Sequence, residues 1–522
     1  MIRILYCGSS SACLELEGGT PFYAKGRYTV SVDGEERFSH DTNVFSLFGL
    51  RPGRSYTVAV RFEDGGEESV RLTAKAETCC VNVRDFGAAG NGVHEDTAAI
   101  QAAICFLPEG GRLWFPPGTY LTLPLCLKSH ITLDLDEGAV ILGSTDRARY
   151  PIIPSASVDP LTGAETPQAG FEGQEFNCYQ SLLQASYAED ISIVGRGAID
   201  GNGQNGDWWQ DFQGFPASRP RVVFLNRTKN VTLHGVTVKN SPSWHVHPFY
   251  SKDFAMLDCF VTAPKVSPNT DGVDPESCNG VDIIGCRFSV GDDCIAVKSG
   301  KLDMALKYQA PADRHTIRNC LMEFGHGAVT LGSELSAGIC NLSVTNCYFH
   351  ATDRGLRIKT RRGRGKDSAI TNVLFDGIRM DKVLTPIVIN MWYNCCDPDR
   401  YSEYVWCREP LPVDGRTPRL GSFAFRNMEC TGAEVAACYI DGLPESPIGE
   451  VSLEDISVSF AQDAKPGMPS MRNHNEERCR MGLYLDNVRR VRVKNVTLRG
   501  VEGDPLTALH CEDIVTEDFG GN

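Results

Sequence analysis

A cysteine recurs at the same place in four successive units of this chain. The four are Cys259, Cys286, Cys320 and Cys347, spaced 27, 34 and 27 residues apart. Short β-type runs such as Val231-Thr232-Leu233 accompany them from about residue 110 onward, with almost no helical periodicity. An irregular repeat of this length, built from strands, predicts a β-solenoid in which equivalent positions of successive coils stack. We therefore expect an inward-facing ladder of thiols, and not a tetrahedral metal site.

Polar motifs recur at similar intervals and are expected to stack as well. Neighbouring strands lie about 4.8 Å apart, so five motifs on five coils would span roughly 20 Å of one groove. Consecutive motifs are 21 to 34 residues apart and comprise Asn269-Thr270-Asp271, Gly291-Asp292-Asp293, Gly325-His326-Gly327, Arg357-Ile358-Lys359 and Tyr393.

Side-chain alternation adds two expectations about this groove. Arg357 and Lys359 are two residues apart, so on a strand they point to the same face while Ile358 points into the core. Asp292 and Asp293 are adjacent and would point to opposite faces of a regular strand. Both reach the groove only if the backbone bends, and the preceding glycine makes a bend or bulge plausible.

These motifs contain the types of residue that glycoside hydrolysis requires. That reaction requires one protonated carboxyl group as acid and one ionised carboxylate to activate water or attack carbon. Crowding Asp271, Asp292 and Asp293 raises the pKa of at least one of them and keeps it protonated near neutral pH. His326 on the next coil is a candidate to hold the proton network in place. Cations are suited to bind an anionic substrate, because Arg pairs with a carboxylate through two hydrogen bonds.

A run of cations surrounds the motif Arg357-Ile358-Lys359. Residues 354–366 contain seven basic side chains and no acidic one before Asp367, against a net charge of -15 for the whole chain. A run of like charge is usually a solvated face, but beside this groove it predicts an extended subsite for sugar carboxylates. Its members are Arg354, Arg357, Lys359, Arg361, Arg362, Arg364 and Lys366.

The region before the repeats is of a different kind. Residues 1–79 are predicted to form a small β-sandwich, because Ser55-Tyr56-Thr57-Val58-Ala59-Val60 alternates and is rich in β-branched and aromatic residues. With the turn Leu50-Arg51-Pro52-Gly53 before it, this segment resembles a fibronectin type III domain. Residues 80–522 are predicted to form the solenoid. It begins with a short capping helix in which Ile100, Ala103 and Ile104 share one face and Asp96 is the N-cap.

The four ordered motifs at 269–271, 291–293, 325–327 and 357–359 resemble those of glycoside hydrolase family 28, the polygalacturonase family, over roughly residues 80 to 515. The resemblance implies an all-β fold, a right-handed parallel β-helix of the pectin-lyase-like kind. It also implies hydrolysis of α-1,4-galacturonosyl linkages with inversion, which uses carboxyl groups roughly 6.5–9.5 Å apart.

The resemblance also implies a role for each motif residue. Asp292 would be the general acid, Asp271 and Asp293 would activate the water, and His326 would support the protonation of the acid. The implied substrate-binding residues are Asn269, Arg357, Lys359 and Tyr393. The spacing alone does not decide which of the adjacent acids donates the proton.

A fibronectin-like module ahead of the β-helix resembles the exo-acting bacterial branch of the family, as does the segment Val140-Ile141-Leu142-Gly143-Ser144-Thr145-Asp146. Exo action requires a wall at one end of the groove. The long inter-coil stretches 145–180 and 394–420 are the predicted walls.

The composition of the chain limits which binding partners and which location are expected. The net charge of -15 argues against general binding to nucleic acid or to an anionic membrane, so a pectic polysaccharide or oligogalacturonide is the expected partner. No cofactor and no metal is expected. The first residues contain no signal-peptide core, and the 21 cysteines show no disulfide framework, which together predict a cytoplasmic location with reduced thiols.

Three alternatives stay open at this point. A pectate lyase would share the β-helix and the substrate and use the aspartates as calcium ligands. A related hydrolase of rhamnogalacturonan would share the motifs, and a non-catalytic polysaccharide-binding β-helix would keep the basic groove without requiring three acids. Trp208 and Trp209 could stack on sugar rings or could anchor the packing of a loop. Trp244 is interpreted as a packing residue, and His245 and His247 are interpreted as groove-edge or structural histidines.

Overall fold

The computed structural model describes residues 1–158, 160–210, 215–394 and 402–521. Its N-terminal part is a pair of antiparallel sheets around a common apolar core that includes Tyr28, Phe45 and Val58. One sheet has the strand order Ile2–Cys7, Ser11–Leu16, Val44–Phe48. The other has the order Glu35–Thr42, Tyr23–Val32, Ser55–Phe62, Glu67–Thr73. In the predicted alternating strand, Tyr56, Val58 and Val60 are buried and Thr57 is exposed, as period-two patterning requires.

The rest of the chain is a parallel β-helix with three faces, which confirms the predicted solenoid. Face 1 contains Cys80–Asn82, Gly111–Phe115, Ile131–Leu135, Glu189–Gly195, Lys229–His234, Lys252–Leu257, Asn279–Ile284, Ala312–Arg318 and Ile339–Thr345. Face 2 contains Asn91–Glu95, Gly118–Thr122, Ala139–Gly143, Ala198–Asp200, Thr237–Lys239, Phe260–Thr262, Arg287–Val290, Leu321–Phe324 and Tyr348–His350. In the later coils single long strands cover both faces: Ala369–Asp381, Ser422–Ala433, Ile448–Phe460, Val488–Arg499 and Asp513–Gly521, with the short Arg419–Leu420 beside them.

Face 3 carries the polar motifs. Its strands are Leu125–Cys126, Leu183–Ser186, Val223–Asn226, Val246–Phe249, Ile295–Val297, Val329–Gly332, Arg354–Lys359, Thr385–Asn390, Ala436–Asp441, Met481–Asp486 and Leu506–Leu509. Two short antiparallel pairs lie outside the coils: Ile152–Ile153 with Cys178–Tyr179, and Ala156–Val158 with Glu165–Pro167.

Helices are few among the described residues. The α-helices are Thr97–Phe106, Leu302–Tyr308 and Glu403–Trp406, and the 3-10 helices are Val83–Phe86, Arg147–Arg149 and Gly203–Asn205. None of them is long and apolar enough to cross a lipid bilayer. The first α-helix covers the N-terminal end of the coil stack, where Ile100, Ala103 and Ile104 are buried as predicted. Asp96 is at its N-cap position, but its carboxylate accepts the backbone N–H groups of Ala89 and Gly90 instead of capping the helix.

The cysteine ladder is confirmed. The residues that follow the four cysteines are direct parallel partners on face 2, and all four thiols are buried. Large apolar side chains stack in the same way one position further on, in the order Val261, Phe288, Met322, Phe349 and Met380. Each such fully buried side chain contributes about 1.5–3 kcal/mol relative to exposure. Stacked ladders therefore form the main core of the β-helix.

The N-terminal sheets lie against face 1 of the β-helix. Arg318 donates two hydrogen bonds to the carboxylate of Glu15, at 2.6 and 2.9 Å. His234 lies between the hydroxyl groups of Ser11 and Ser46, at 3.1 and 2.9 Å, and stacks on Phe48. Both contacts are buried or half-buried, so they hold the two regions in a defined arrangement.

Candidate active site

The five polar motifs lie on five successive coils, one coil per motif, as predicted. Five residues on face 3 are parallel partners from one coil to the next, in the order Val273, Ile295, Val329, Leu356 and Ile387. Each motif lies close in sequence to the one of these five residues that is on the same coil. Beyond the last of these strands, the N–H of Tyr393 donates to the carbonyl of Thr360.

The predicted backbone bend at the adjacent aspartates is present. Asp292 and Asp293 lie between the strands Arg287–Val290 and Ile295–Val297, and not within either. A Cβ on Gly291 would lie 2.4 Å from the carbonyl oxygen of Ser267, so only glycine fits this approach. The bend lets both carboxylates reach the same side of the coil.

The two glycines around His326 are required by the same neighbourhood. Gly325 has φ of +78°, and a Cβ there would lie 2.6 Å from the carbonyl oxygen of Asp292. A Cβ on Gly327 would lie 2.8 Å from the Oδ1 atom of Asp293. Glycine on both sides therefore brings the histidine backbone close to the two acids, and the N–H of His326 donates to the carbonyl of Asp292 at 3.1 Å.

All eight predicted site residues line one polar cavity of about 470 Å³ on face 3. They are Asn269, Asp271, Asp292, Asp293, His326, Arg357, Lys359 and Tyr393. Ile358 is fully buried between its two basic neighbours, as the strand alternation predicts. One carboxylate oxygen from each of Asp271, Asp292 and Asp293 lies within 4.8 Å of the other two.

Asp293 is held as an anion by the two predicted basic residues. Arg357 Nη1 donates to its Oδ1 and Lys359 Nζ donates to its Oδ2, both at 2.9 Å. Burial alone would raise the pKa of Asp293, but the charges of Lys359 and Arg357 outweigh burial and lower this pKa well below its usual range. Asp293 is therefore ionised at neutral pH.

Asp271 has the opposite character. Burial raises its pKa well above the ordinary value, and repulsion from Asp274 and Asp292 raises it further. The cluster thus contains one carboxylate that is firmly ionised and one carboxyl group that favours its proton. Such a divergence between neighbouring acids is what acid–base chemistry requires.

His326 has a partner that sequence reasoning missed. Its Nδ1 lies 2.7 Å from the Oδ2 of Asp353, which lines the same cavity. The hydrogen bond to Asp353 is the main cause that raises the pKa of His326. The available signal was the position of Asp353, 27 residues after His326 and so one coil away, like the motif residues themselves.

A buried ion cluster beneath the acids was also missed. Lys298 Nζ lies 3.2 Å from Glu334 and 3.5 Å from Asp274, and all three side chains are almost wholly buried. Burial raises the pKa of Glu334, but Lys298 and Lys301 reverse this and lower it to about 2. Burial raises the pKa of Asp274 well above normal, while Lys298 opposes that change. Lys298 and Glu334 thus form a buried ion pair beside the three acids, and the charge of Lys298 acts to lower the pKa of both Asp271 and Asp293.

The predicted extended subsite of seven cations was wrong. From the run at 354–366, the described cavity lining includes only Arg354, Arg357 and Lys359. Arg362 is buried and makes two hydrogen bonds to Glu445, at 2.6 and 2.9 Å. Lys366 is exposed and pairs with its neighbour Asp367. Arg361 and Arg364 are buried as well, so most of the second half of the run stabilises the fold.

One predicted wall lies at the cavity and the other does not reach it in the described residues. Within 145–180, Glu172 lines the cavity, and the N–H of Lys301 donates to the carbonyl of Gly173 at 2.8 Å. Of 394–420, residues 395–401 lie outside the described residues, and the described remainder is absent from the cavity lining. Ser470 and Met471, which sequence reasoning missed, also line the cavity, and Arg357 Nη2 donates to the Met471 sulfur at 2.9 Å.

The structure also places the histidines and tryptophans that the sequence singled out. His245 and His247 are fully buried, with Nδ1 of His245 against the Asp271 carbonyl and Nε2 of His247 against Glu276. Trp208 packs against Tyr150 and Tyr179. Trp244 stacks on Phe171 and also lines the cavity, so its packing role does not exclude contact with a ligand.

Two clusters among the described residues contain three groups of metal-ligand type. One is the Asp271–Asp292–Asp293 trio, and the other is His130, Glu189 and Asp190 on the surface. In the trio, Asp293 has both oxygens occupied by Arg357 and Lys359. A divalent cation would have to displace these bonds and approach two fixed positive charges, so the trio does not fit a metal site well.

Comparisons with known proteins agree with this geometry. The model of "Glycosyl hydrolases family 28" matches residues 164–479, more than half of the chain, and that of "Rhamnogalacturonase A/epimerase, pectate lyase-like" matches residues 80–142. A probable polygalacturonase of Vitis vinifera is 31% identical over 391 residues, covering 73% of this chain and 74% of the relative.

Two solved structures share the fold. A family 28 exopolygalacturonase of Yersinia enterocolitica has a TM-score of 0.73 at 20% identity and covers 98% of both chains. An exopolygalacturonase of Thermotoga maritima has a TM-score of 0.63 at 26% identity, covering 77% of this chain and 95% of that one. With the family model spanning most of the β-helix and every motif of the resemblance at one cavity, the chain belongs to glycoside hydrolase family 28 and is a glycoside hydrolase.

Proposed function

We propose that this glycoside hydrolase cleaves α-1,4-galacturonosyl linkages of pectin or oligogalacturonides. The observation that carries the proposal is the polar cavity itself, which combines three crowded acids with Arg357 and Lys359. Guanidinium and ammonium groups bind a uronate carboxylate, and the acids supply proton transfer. The relative from Vitis vinifera, described as a probable polygalacturonase, supports the same substrate class.

Asp292 is the proposed general acid, while Asp271 and Asp293 activate the water. Asp293 is the ionised acid of the three, because Lys359 and Arg357 lower its pKa, and an ionised carboxylate can accept a hydrogen bond from the water and orient it. The assignment of Asp292 as donor rests on the family resemblance; Asp292 is less buried than the other two acids and so is open to a leaving-group oxygen in the cavity. The raised pKa of Asp271, caused first by burial, makes it the competing candidate for the donor.

A substrate that needs no leaving-group protonation separates these two assignments. Replacing the general acid slows hydrolysis of trigalacturonate by about 10²–10⁴-fold, but hardly slows an aryl galacturonide whose leaving group departs as an anion. We expect Asp292→Asn to show this pattern and Asp271→Asn to be slow on both substrates. The reverse pattern would assign the acid to Asp271.

Inversion is proposed from the family resemblance alone. Proton NMR of the first product formed from trigalacturonate reports the anomer directly. The β-anomer is expected from an inverted α-linkage, and an initial α-anomer would refute inversion while leaving the substrate assignment intact.

Chain-end attack is the proposed mode of action. Glu172, Ser470 and Met471 line the cavity, and the two segments that carry them are the proposed walls of the groove. The similarity to the Thermotoga maritima exopolygalacturonase supports the same mode. Shortening the turn at 171–174 is expected to convert single-unit release from polygalacturonate into mixed oligomers. An unchanged product pattern in a folded variant would argue against this wall.

The lyase alternative makes a different product. A lyase leaves a conjugated double bond that absorbs in the ultraviolet, whereas a hydrolase leaves only new reducing ends. We expect reducing ends without new ultraviolet absorbance, and unchanged turnover in the presence of a chelator. Occupation of both Asp293 oxygens by basic side chains supports this expectation over calcium chemistry.

The N-terminal region is proposed to be a fibronectin type III-like domain that ends near residue 79. Its support is the arrangement of three and four antiparallel strands in two packed sheets, with the last strand ending at Thr73. The β-helix is proposed to begin at residue 80. Limited proteolysis is expected to cut between Thr73 and Cys80 before it cuts within either region.

A further inference from the structure

His326 and Asp353 form a pair at the edge of the polar cavity. The Nδ1 atom of His326 lies 2.7 Å from the Oδ2 atom of Asp353, and both residues line the cavity with Asp292. The pair joins two neighbouring coils, because the N–H of Asp353 also donates to the carbonyl of Gly325 at 3.0 Å. Its geometry is thus fixed by backbone as well as side-chain bonds.

The chemistry of the pair defines which nitrogen carries the proton. Burial would raise the pKa of Asp353, but its bond to His326 and the charges of His326 and Arg354 lower it. An ionised carboxylate only accepts hydrogen bonds, so Nδ1 of His326 is protonated in this contact. Nε2 is then the ring nitrogen left to act on the cavity side.

The charged groups around the ring favour the imidazolium form. Asp292, Asp353 and Asp293 are the acids that act on His326, and each stabilises its positive charge. Arg354 and Arg357 lie on the strand that directly follows Asp353 in the chain, and their charges lower the pKa of Asp353 and keep it ionised. The guanidinium of Arg354 donates to the carbonyl of Asp353 at 2.8 Å, which also fixes the backbone of this residue.

We propose that Asp353 is a positioning residue for the hydrolysis: it orients the His326 ring, fixes the proton on Nδ1 and keeps a positive charge beside Asp292. This role rests on the proposed function of the cavity. In this role Asp353 acts through His326, so the main result of its loss is a change in the protonation of the histidine.

Asp353→Asn separates charge from geometry. The amide oxygen still accepts the Nδ1–H bond, but the negative charge is gone, so His326 loses its proton at a lower pH than in the wild type. We expect kcat on trigalacturonate to fall about tenfold to hundredfold, by analogy with the loss of carboxylates that orient metal-ligating histidines. The alkaline limb of the kcat profile is expected to move down by about one pH unit or more. Asp353→Glu should restore the limb.

The chain offers a matched control outside the cavity. His350 Nδ1 lies 3.0 Å from Asp381 Oδ2, one coil further on and away from the described lining residues. Asp381→Asn removes the same kind of charge from the same kind of pair. It is expected to leave both kcat and the pH profile unchanged. A fall in kcat for Asp353→Asn with an unshifted alkaline limb would indicate a merely structural role and overturn the proposal.

A readout independent of turnover separates this proposal from the proposed function. Carbon-13 NMR of labelled histidine rings gives the titration midpoint of His326, and the signal is assigned by its loss in His326→Gln. The midpoint should fall in Asp353→Asn and stay unchanged in Asp381→Asn. An unchanged midpoint in Asp353→Asn overturns the pair. A lowered midpoint in an enzyme that cleaves no pectic substrate keeps the pair and refutes the proposed function.

Discussion

The two halves of the cationic run at residues 354–366 have different roles. Residues 354–359 form a strand on face 3, and their basic side chains line the polar cavity and hold Asp293. Residues 361–366 follow the end of that strand, and there Arg362 turns inward to Glu445 and to backbone carbonyls. In this run the end of a strand, and not the charge of the side chains, separates the cavity-lining cations from the structural ones.

The largest effect expected from this comparison is on stability. All three nitrogens of the Arg362 guanidinium donate hydrogen bonds, and its side chain is 1% exposed. Arg362→Ala leaves Glu445 as an unpaired buried charge, which typically costs about 3–5 kcal/mol. Urea unfolding measures the loss, while kcat/KM of the folded fraction should stay at the wild-type value. A loss below about 1 kcal/mol, the value of an exposed pair, would contradict a structural role.

The second effect is on activity. Lys359→Ala removes one of the two cations that hold Asp293 and bind the proposed sugar carboxylate. We expect kcat/KM on trigalacturonate to fall about 100-fold, or about 2.7 kcal/mol of transition-state stabilisation. The free energy of unfolding should fall less in Lys359→Ala than in Arg362→Ala. Activity within the error of the wild type would refute the assignment of the first half of the run.

The third effect is a shift in pH dependence. The wild-type cations lower the pKa of Asp293, so this residue stays ionised as the pH falls. Without Lys359 the pKa rises, and the carboxylate takes up a proton at a higher pH. The acid limb of kcat/KM should therefore move up by about one pH unit in Lys359→Ala. Arg362→Ala is the control and should keep the wild-type limb.

The smallest effect concerns Lys366. Its side chain is exposed and pairs only with the neighbouring Asp367 in the described structure. Lys366→Ala should change stability by no more than about 1 kcal/mol and leave kcat/KM unchanged. A marked loss of affinity for longer oligogalacturonides would revive the idea of an extended subsite there.

Much of the fold follows from patterns that repeat with the coils. The spacing of Cys259, Cys286, Cys320 and Cys347 predicts the stacked core, because equivalent positions of a parallel β-helix lie above one another. The same reasoning brings Asp271, which lies far from Tyr393 in sequence, into one cavity with it.

The missed features depend on contacts that no local pattern encodes. Met471 reaches the cavity from a long segment after the strand Ile448–Phe460, and no period predicts where such a segment lies. Lys298 reads as an ordinary strand-end lysine until the burial of Asp274 and Glu334 around it is known. The fibronectin-like interpretation of residues 1–79 and the cytoplasmic location stay predictions.

The most direct test of the central claim is a time course of trigalacturonate turnover by the wild type and by Asp292→Asn. The wild type should release galacturonate and digalacturonate, with new reducing ends and no new ultraviolet absorbance. Asp292→Asn should bind the trimer with wild-type affinity and turn it over about 10²–10⁴-fold more slowly. An ultraviolet-absorbing product, or a variant as fast as the wild type, would contradict the account.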